Sequence, residues 1–303
     1  MPFMSAAPNR RTFLASALVA ATAAAAGRIV LADDAPTTQP KADRPAEKPF
    51  AFYVMDTGLR GPDVPTLESK VKLAKDLGFS GVDYTYDAAQ LPHMIELLDA
   101  HGLELTAIYL SIPLGSKVAD RFDESIKQMK GRPTRIELAI QSKKFKPSDA
   151  AGDAEALELI DAVADRAADT GPVVSVYPHT GAWTELVDDG VRLAQAARAS
   201  GRKNVGTNFN LVHWKWVKQA RSLDETLKDS LPYLYLVTVN GLDGNRIVSL
   251  DQGNYDLPGF VTVLKKTGYG GRIGLQGFGI PGPSAEHLKR SIDKWREMMG
   301  RAE

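Results

Sequence analysis

Polar side chains are concentrated at the ends of four consecutive strands predicted in the second half of the sequence. Two of them, His179 and His213, can take or give a proton near neutral pH. The others supply hydroxyl, phenol and amide groups for hydrogen bonds, namely Ser175, Tyr177, Asn208, Asn210, Thr238, Asn240 and Gln276. Because alternate residues of a strand face the same side, these positions point inward if the intervening aliphatic residues face outward. Each side chain alone could cap a core, but satisfying the whole set favours a ligand pocket.

Three further side chains near strand ends are candidate binding residues. Trp183 and Trp214 follow the fifth and sixth strands, where an indole can stack on a flat ligand or simply pack. Lys144 follows the fourth strand and can neutralise a negatively charged intermediate or extend into solvent. The segment 277–282 matches G-x-G-x-x-G, but it follows the last strand and contains a proline, which argues against a dinucleotide site. It is either a tight turn or a loop that binds an anion or a hydroxyl group.

Eight strand-then-helix units are predicted to hold these residues in place. Short β-prone runs alternate with stretches of helical periodicity, which is the pattern of a parallel sheet joined by crossover helices. The strands are predicted at 50–55, 81–85, 104–110, 135–140, 173–177, 205–209, 234–239 and 272–276. The helices are predicted at 67–77, 88–101, 119–130, 153–170, 183–200, 223–230, 258–267 and 284–299. Residues 49–303 are therefore predicted to form one α/β domain, a (β/α)8 TIM barrel, in which active sites lie at the carboxyl ends of the strands.

The composition excludes several classes of function. Lys and Arg together number 37, as do Asp and Glu, so there is no basic excess for nucleic acid or an anionic membrane. The sequence has no cysteine, which rules out thiolate metal sites, disulfides and a thiol nucleophile. The expected partner is a small molecule and not a nucleic acid, and the sequence does not indicate an oligomeric state.

The first 48 residues are interpreted as an export signal followed by a linker. Residues 1–32 contain no acidic residue, and the segment NRRTFL at 9–14 leads into an Ala-rich run, a pattern typical of twin-arginine signal peptides. That run is shorter than the roughly 20 apolar residues that span a bilayer, so no stable membrane span is expected after signal removal. Residues 33–48 are too polar to bury a core and are interpreted as a disordered linker. The predicted location is periplasmic or otherwise extracytoplasmic.

At its strand ends the sequence resembles the xylose isomerase-like TIM-barrel family, which includes sugar phosphate isomerases and epimerases as well as apurinic endonucleases. The likeness spans nearly all of 49–303. It is carried by VVSVYPHTG at 173–181, NVGTNFNLVHW at 204–214, LYLVTVNG at 234–241 and DQGNYDLPGFVTVLKKTGYGGRIGLQ at 251–276.

The resemblance implies a divalent metal site, from which this sequence departs. Family members bind the metal with a Glu at the end of strand five, an Asp and often a His around strand six, a His on strand seven and a Glu at the end of strand eight. Those positions hold Tyr177, Asn210 with His213, Thr238 and Gln276, so His213 alone remains as a potential ligand. Neutral amides and hydroxyls cannot offset the dehydration of a divalent ion. We therefore expect no metal and no other cofactor, and expect Mn, Zn, Co or Mg only if this alignment of the strand ends is displaced.

Two functions are compatible with this pattern. The first is an exported isomerase- or epimerase-like enzyme that acts on a sugar, keto-sugar or glycoside by proton transfer next to a carbonyl, with His179 and His213 as catalytic residues. The carbohydrate would be bound by Tyr177, Asn210, Thr238, Asn240, Gln276, Trp183, Trp214 and Lys144. The second is a non-catalytic sugar-binding barrel that has lost the metal chemistry. Nucleic-acid processing fits poorly because the metal ligands are missing.

Overall fold

The computed structural model describes residues 50–118, 120–217 and 219–300. The predicted signal peptide 1–32 and linker 33–48 lie outside the described residues, and both stay predictions. Within the described ranges, no helix is both long enough and apolar enough to cross a membrane.

Eight parallel strands close into a barrel, which confirms the predicted TIM barrel. The strands in chain order are β1 (Phe52–Met55), β2 (Gly81–Thr85), β3 (Glu104–Pro113), β4 (Arg135–Gln141), β5 (Val173–Val176), β6 (Val205–Asn210), β7 (Leu234–Val239), β8 (Gly241–Asp243), β9 (Arg246–Val248) and β10 (Arg272–Leu275). The order around the barrel is β1, β10, β7, β6, β5, β4, β3 and β2, so β1 pairs with both β2 and β10. Strands β8 and β9 form a separate antiparallel hairpin, which the sequence did not predict.

Helices follow the strands and surround the barrel. They are α1 (Leu67–Leu77), α2 (Leu91–Ala100), α3 (Asp120–Gln128), α4 (Asp153–Ala167), α5 (Val187–Ala199), α6 (Leu211–Trp216), α7 (Leu223–Ser230), α8 (Leu257–Lys266) and α9 (Ser284–Gly300). Each predicted helix is present, and the short α6 is additional. Helix α5 begins four residues later than predicted, because the Asp189 carboxylate accepts hydrogen bonds from the Glu185 and Leu186 amides at 3.0 and 2.9 Å and fixes the preceding turn.

Local side-chain caps set the helix ends. At the start of α1 the Ser69 amide donates to Thr66 Oγ1 at 3.2 Å, and at α7 the Glu225 amide donates to Ser222 Oγ at 3.3 Å. Helix α1 ends at Gly78, whose φ of 86° is the left-handed conformation that a Cβ would strain. These residues specify where each connection turns, and thus which side chains the strand ends present.

The core has two layers, as the alternation in the strands predicts. Val174 and Val176 pack outward among the helices, whereas Tyr177 lies in a second cluster inside the barrel with Tyr53. Gly274 is also inside, and a Cβ there would come 2.2 Å from Cζ of Tyr53. The missing side chain of Gly274 therefore makes room for the Tyr53 ring.

Candidate functional site

The two predicted proton-transfer residues lie against each other at the carboxyl ends of β5 and β6. The ring centroids of His179 and His213 are 4.0 Å apart, with the ring planes tilted by 41°. The loop that carries His179 is anchored to β4, since the Ile140 amide donates to Thr184 Oγ1 at 3.1 Å. His213 is placed by α6, whose first turn is capped by the side chain of Asn210. Both histidines therefore sit on fixed connections.

Hydrogen bonding and burial determine the state of these rings. His179 Nδ1 donates to the Thr180 carbonyl at 2.8 Å, because a carbonyl only accepts, and this leaves Nε2 of the neutral ring as an acceptor. His213 Nδ1 lies 3.3 Å from Thr180 Oγ1, and its buried Nε2 has no partner among the described residues. Burial lowers the pKa of His179, and burial together with the nearby His179 lowers the pKa of His213 well below its usual value. Both rings are neutral at pH 7 and can act as bases.

A hydrogen-bonded trio lies beside the histidines. Asn210 Nδ2 donates to the Tyr177 hydroxyl at 2.6 Å and to Gln276 Oε1 at 2.9 Å. Burial, with smaller contributions from the buried carboxyl groups of Glu137 and Asp83, raises the pKa of Tyr177. The phenol therefore stays protonated, and the Tyr177 O–H and the Gln276 amide nitrogen remain as donors for a ligand oxygen.

Strand β7 adds two more buried polar side chains. Thr238 pairs in register with Asn210 on one side and Gly274 on the other, so β5, β6, β7 and β10 contribute to one continuous face. Thr238 Oγ1 has no hydrogen-bond partner in the described part of the chain, and neither does Asn240 Oδ1. Asn240 Nδ2 donates to the adjacent Gly241 carbonyl at 2.9 Å. Unpaired buried polar atoms at a strand end are the kind of group whose hydrogen bonds a ligand or a water molecule completes.

We call this set of residues the mouth layer. It consists of Tyr177, His179, Asn210, His213, Thr238, Asn240 and Gln276, seven of the ten predicted site residues.

The mouth layer does not fit a divalent metal. Asn210 Oδ1 already accepts from the amides of α6, and Gln276 Oε1 accepts from Asn210, so these oxygens are committed to protein donors. No carboxylate is present in the layer, and within the described residues no group of three or more His, Asp or Glu side chains is arranged to hold a metal ion. The donor set is suited to hydrogen bonding with a neutral ligand.

Three predicted binding residues have contacts elsewhere. Trp183 is 2% exposed, and its Nε1 donates to the Asp149 carbonyl at 3.1 Å. Trp214 packs against Phe209 in the outer layer, with ring centroids 6.0 Å apart. Lys144 extends outward and forms an ion pair with Glu155 of α4. These contacts correspond to packing and to a surface ion pair, and not to ligand stacking or charge neutralisation at the mouth layer.

Two aromatic residues beside the histidines were not among the predicted site residues. The ring centroid of Tyr109 lies 5.2 Å from that of Tyr177 and 6.3 Å from that of His179. The ring of Trp216 lies 6.0 Å from His213, and its buried Nε1 has no partner in the part of the chain that the structure describes. Strand alternation applied to β3 would have indicated Tyr109.

Two acidic residues inside the barrel were also missed. Glu137 is fully buried on β4 and accepts from Asn208 Nδ2, while Asn208 Oδ1 accepts from Ser175 Oγ at 2.5 Å. Asp83 on β2 is 1% exposed, and its carboxyl group interacts with that of Glu137.

The pKa values of these two carboxyl groups are strongly perturbed. Burial, then the nearby Asp56 carboxylate, raises the pKa of Asp83 to about 8. Burial, then the charge of Asp83, raises the pKa of Glu137. Asp83 and Glu137, which we call the buried carboxyl pair, therefore hold at least one proton at pH 7.

The closed barrel defines a TIM-barrel protein, and its candidate site lies at the carboxyl ends of the strands, the usual place for that fold. The chain belongs to the xylose isomerase-like TIM-barrel family, whose model matches residues 71–298.

Solved structures share this fold at low sequence identity. A D-allulose 3-epimerase from Methylomonas sp. superposes with a TM-score of 0.67 at 15% identity, covering 83% of this chain and 99% of that one. A 3-keto-D-glucoside 4-epimerase from E. coli gives a TM-score of 0.65 at 14% identity over 82% of this chain and 99% of that one. A family 2 AP endonuclease from Brucella melitensis gives a TM-score of 0.63 at 19% identity, covering 80% of this chain and 97% of that one. The comparison with curated proteins gives no match.

Proposed function

We propose that this protein is an exported sugar isomerase of the xylose isomerase-like family that transfers a proton next to a carbonyl group without a divalent metal. The observation that carries the proposal is the pair of neutral, buried histidines in contact beside hydrogen-bond donors. Enolisation of a sugar needs a base and donors for the developing enediolate oxygen. The mouth layer contains both, and the family and its epimerase neighbours support a carbohydrate substrate.

The more accessible histidine is the base in this mechanism. His179 is half-buried and offers Nε2, whereas His213 is only 4% exposed. Nε2 of His179 takes the proton from the carbon next to the carbonyl, and the C–H electron pair moves into an enediolate. The Tyr177 hydroxyl and the Gln276 amide donate to the enediolate oxygens.

The ring geometry favours aldose–ketose isomerisation over epimerisation, in which two bases on opposite faces of the substrate invert a carbon. Ring centroids 4.0 Å apart leave no space for a substrate between His179 and His213, so both rings approach it from one side. The proton therefore returns on the same face to the former carbonyl carbon. Meanwhile the hydroxyl proton passes from one substrate oxygen to the other, so aldose and ketose interconvert with no atom gained or lost.

The test is proton transfer in labelled sugars. Aldoses deuterated at carbon 2 are incubated with the purified protein, and NMR follows the label, with metal content measured by mass spectrometry and a parallel reaction in EDTA. We expect ketose with part of the label at carbon 1, unchanged turnover in EDTA and no stoichiometric metal. Epimers with complete loss of label would contradict same-face transfer, and turnover abolished by EDTA would contradict the metal-free reaction.

A sugar-binding barrel without catalysis is the second candidate. It is favoured by the absence of any carboxylate in the mouth layer, where the family resemblance implies acidic ligands. Sugar binding with no exchange of the carbon-bound proton over days would select this function instead.

A further inference from the structure

A cleft lies along the two loops that leave the mouth layer. It has a volume of about 500 Å³ and lies between the β8–β9 hairpin, the loop that follows β10 and the first turns of α9. Strand β8 begins directly after Asn240, and the wall residue Ile280 is four positions beyond Gln276. Four residues span at most about 14 Å, so the cleft borders the mouth layer.

Hydrogen bonds hold the cleft in shape. The Leu250 amide donates to Ser291 Oγ of α9 at 3.2 Å, and that hydroxyl donates to the His287 carbonyl at 2.8 Å. Arg290 donates through Nε and Nη2 to Asp251 at 3.0 and 2.8 Å. The segment after the hairpin is thus fastened to α9, and the cleft exists before any ligand binds.

The charges on the cleft walls balance. Arg246 pairs with Asp243, and Arg290 pairs with Asp251, so each arginine has a carboxylate partner. The acidic side chain of Glu286 also lines the cleft. This lining favours a neutral ligand over an anion such as phosphate.

The start of α9 is likewise occupied by a protein carboxylate. Asp63, in the loop before α1, accepts from the Ser284 and Ala285 amides at 2.7 and 2.8 Å. The loop 277–282 therefore does not expose these amides as the anion site that the sequence left open.

A buried histidine in the cleft lacks a partner. His287 lines the cleft and is 5% exposed, and its Nδ1 has no hydrogen-bond partner within the described residues. Burial lowers the pKa of His287, and Asp63 and Glu286 oppose this shift only in part. A neutral imidazole has one donor and one acceptor nitrogen, which match a hydroxyl group.

We propose that the cleft is a second sugar subsite, which binds the ring attached to the sugar held at the mouth layer. The proposal rests on the proposed function and narrows its substrate class to disaccharides with a reducing end, whose reducing sugar supplies the carbonyl at the mouth layer. Apolar walls at Ile280 and Pro281 suit the C–H face of a pyranose, and the neighbouring polar groups suit its hydroxyls. Phe278 lies on the same loop between Gln276 and Ile280 and is 54% exposed, which provides an aromatic surface at the border.

The histidines report on the two sites separately. The protein has five histidines, so their ring signals can be assigned by NMR in the full chain and followed during titration with D-glucose and with cellobiose and maltose. We expect glucose to shift His179 and His213, and at least one disaccharide to shift His287 as well and to bind at least tenfold more tightly.

The outcomes separate the two proposals. If disaccharides shift His179 and His213 but never His287, the subsite is overturned and the proposed function stands. If His287 shifts while His179 and His213 do not, the cleft binds sugar but the mouth layer does not, and the proposed function is overturned. No shift at any of the three rings at saturating sugar would contradict both.

Surface variants of the cleft provide an independent measurement. Arg246→Ala and Gln252→Ala change exposed lining side chains, and we expect each to weaken disaccharide binding by about tenfold without changing glucose binding. Arg202→Ala is the matched control, because Arg202 forms a comparable ion pair with Asp165 at 3.0 Å but does not line the cleft. Equal disaccharide affinity in the wild type and both cleft variants would overturn the subsite.

Discussion

The mouth layer and the buried carboxyl pair have opposite chemical character within one barrel. Every side chain in the mouth layer is neutral, although the family resemblance implies carboxylates at Tyr177, Asn210 and Gln276. Asp83 and Glu137 are acidic side chains inside the same barrel, where burial keeps at least one proton on them. The barrel has therefore not lost acidic groups in general. The neutral side chains are in the mouth layer, which is the candidate ligand-binding surface, and the carboxyl groups lie deeper in the barrel.

The largest effect is expected from removing the base. His179→Ala should lower turnover by about 10²- to 10⁴-fold, the usual contribution of a general base, while sugar binding changes little. His93→Ala is the control, since His93 is exposed on α2 and pairs with Glu68. Turnover and binding are measured by NMR and calorimetry. Equal turnover in both variants would remove His179 from the mechanism.

Restoring acidic ligands should convert the mouth layer into a metal site. The double variant Asn210→Asp with Gln276→Glu places two carboxylates near His213, and Mn²⁺ should then stabilise the fold by about 3 kcal/mol at one hundred times its Kd. The wild type should show no such shift in thermal unfolding. Asn208→Asp is a control that adds a carboxylate in the interior instead. Stabilisation of the wild type by Mn²⁺ would contradict the neutral character of the layer.

The buried carboxyl pair should make stability fall as pH rises. Because the folded pKa of Asp83 is about 8 and its ordinary value is near 4, the folded state holds more protons than the unfolded state between these values. This contribution to stability is therefore complete at low pH and decreases by roughly 1.4 kcal/mol per pH unit for one proton, levelling above about pH 8. The histidines with lowered pKa values, His179, His213 and His287, act in the opposite sense.

The carboxyl contribution is therefore the difference in pH dependence between the wild type and Asp83→Asn, measured by denaturant unfolding at pH 5, 6.5 and 8. In Asp83→Asn stability should decrease less, or increase more, with pH than in the wild type, because the amide does not titrate and can donate to Glu137. Asp76→Asn, at an exposed residue paired with Lys72, should keep the wild-type pH dependence. The same pH dependence of the unfolding free energy in all three proteins would mean that the buried carboxyl pair does not contribute to it.

The smallest effect is expected at Lys144. Its ion pair with Glu155 is largely exposed, and such pairs contribute about 0 to 1 kcal/mol. Lys144→Ala should change turnover by less than twofold, as should Lys143→Ala beside it. A loss of turnover confined to Lys144→Ala would restore the role in charge neutralisation considered from the sequence.

Much of the fold could be predicted because the periodic patterns of strands and helices extend over many residues. The eight barrel strands have their predicted positions, with β3 continuing to Pro113 beyond its predicted end. The three-residue strands β8 and β9 and the six-residue α6 are too short to produce a periodic pattern.

The orientation of candidate site residues could be predicted on the strands, where side chains alternate, but not on the loops. Alternation places Tyr177, Asn210 and Gln276 inside the barrel, and their hydrogen bonds agree with that placement. It says nothing of which way a loop residue turns, and Trp183 turns into the core. Asp83 lies on a strand for which inward orientation was not considered, and its acidic side chain gives no local sign of burial.

The contact between Asp63 and the start of α9 joins residues 221 and 222 positions apart, next to the seam where β1 meets β10. During synthesis β1 and its loop are made long before their partners in β10 and α9. Until then β1 has a sheet edge with no neighbour on that side, and β7 lacks its partner on the other. A chain that lacks β10 therefore has an open sheet with two unpaired edges, and it is prone to aggregation until the barrel closes.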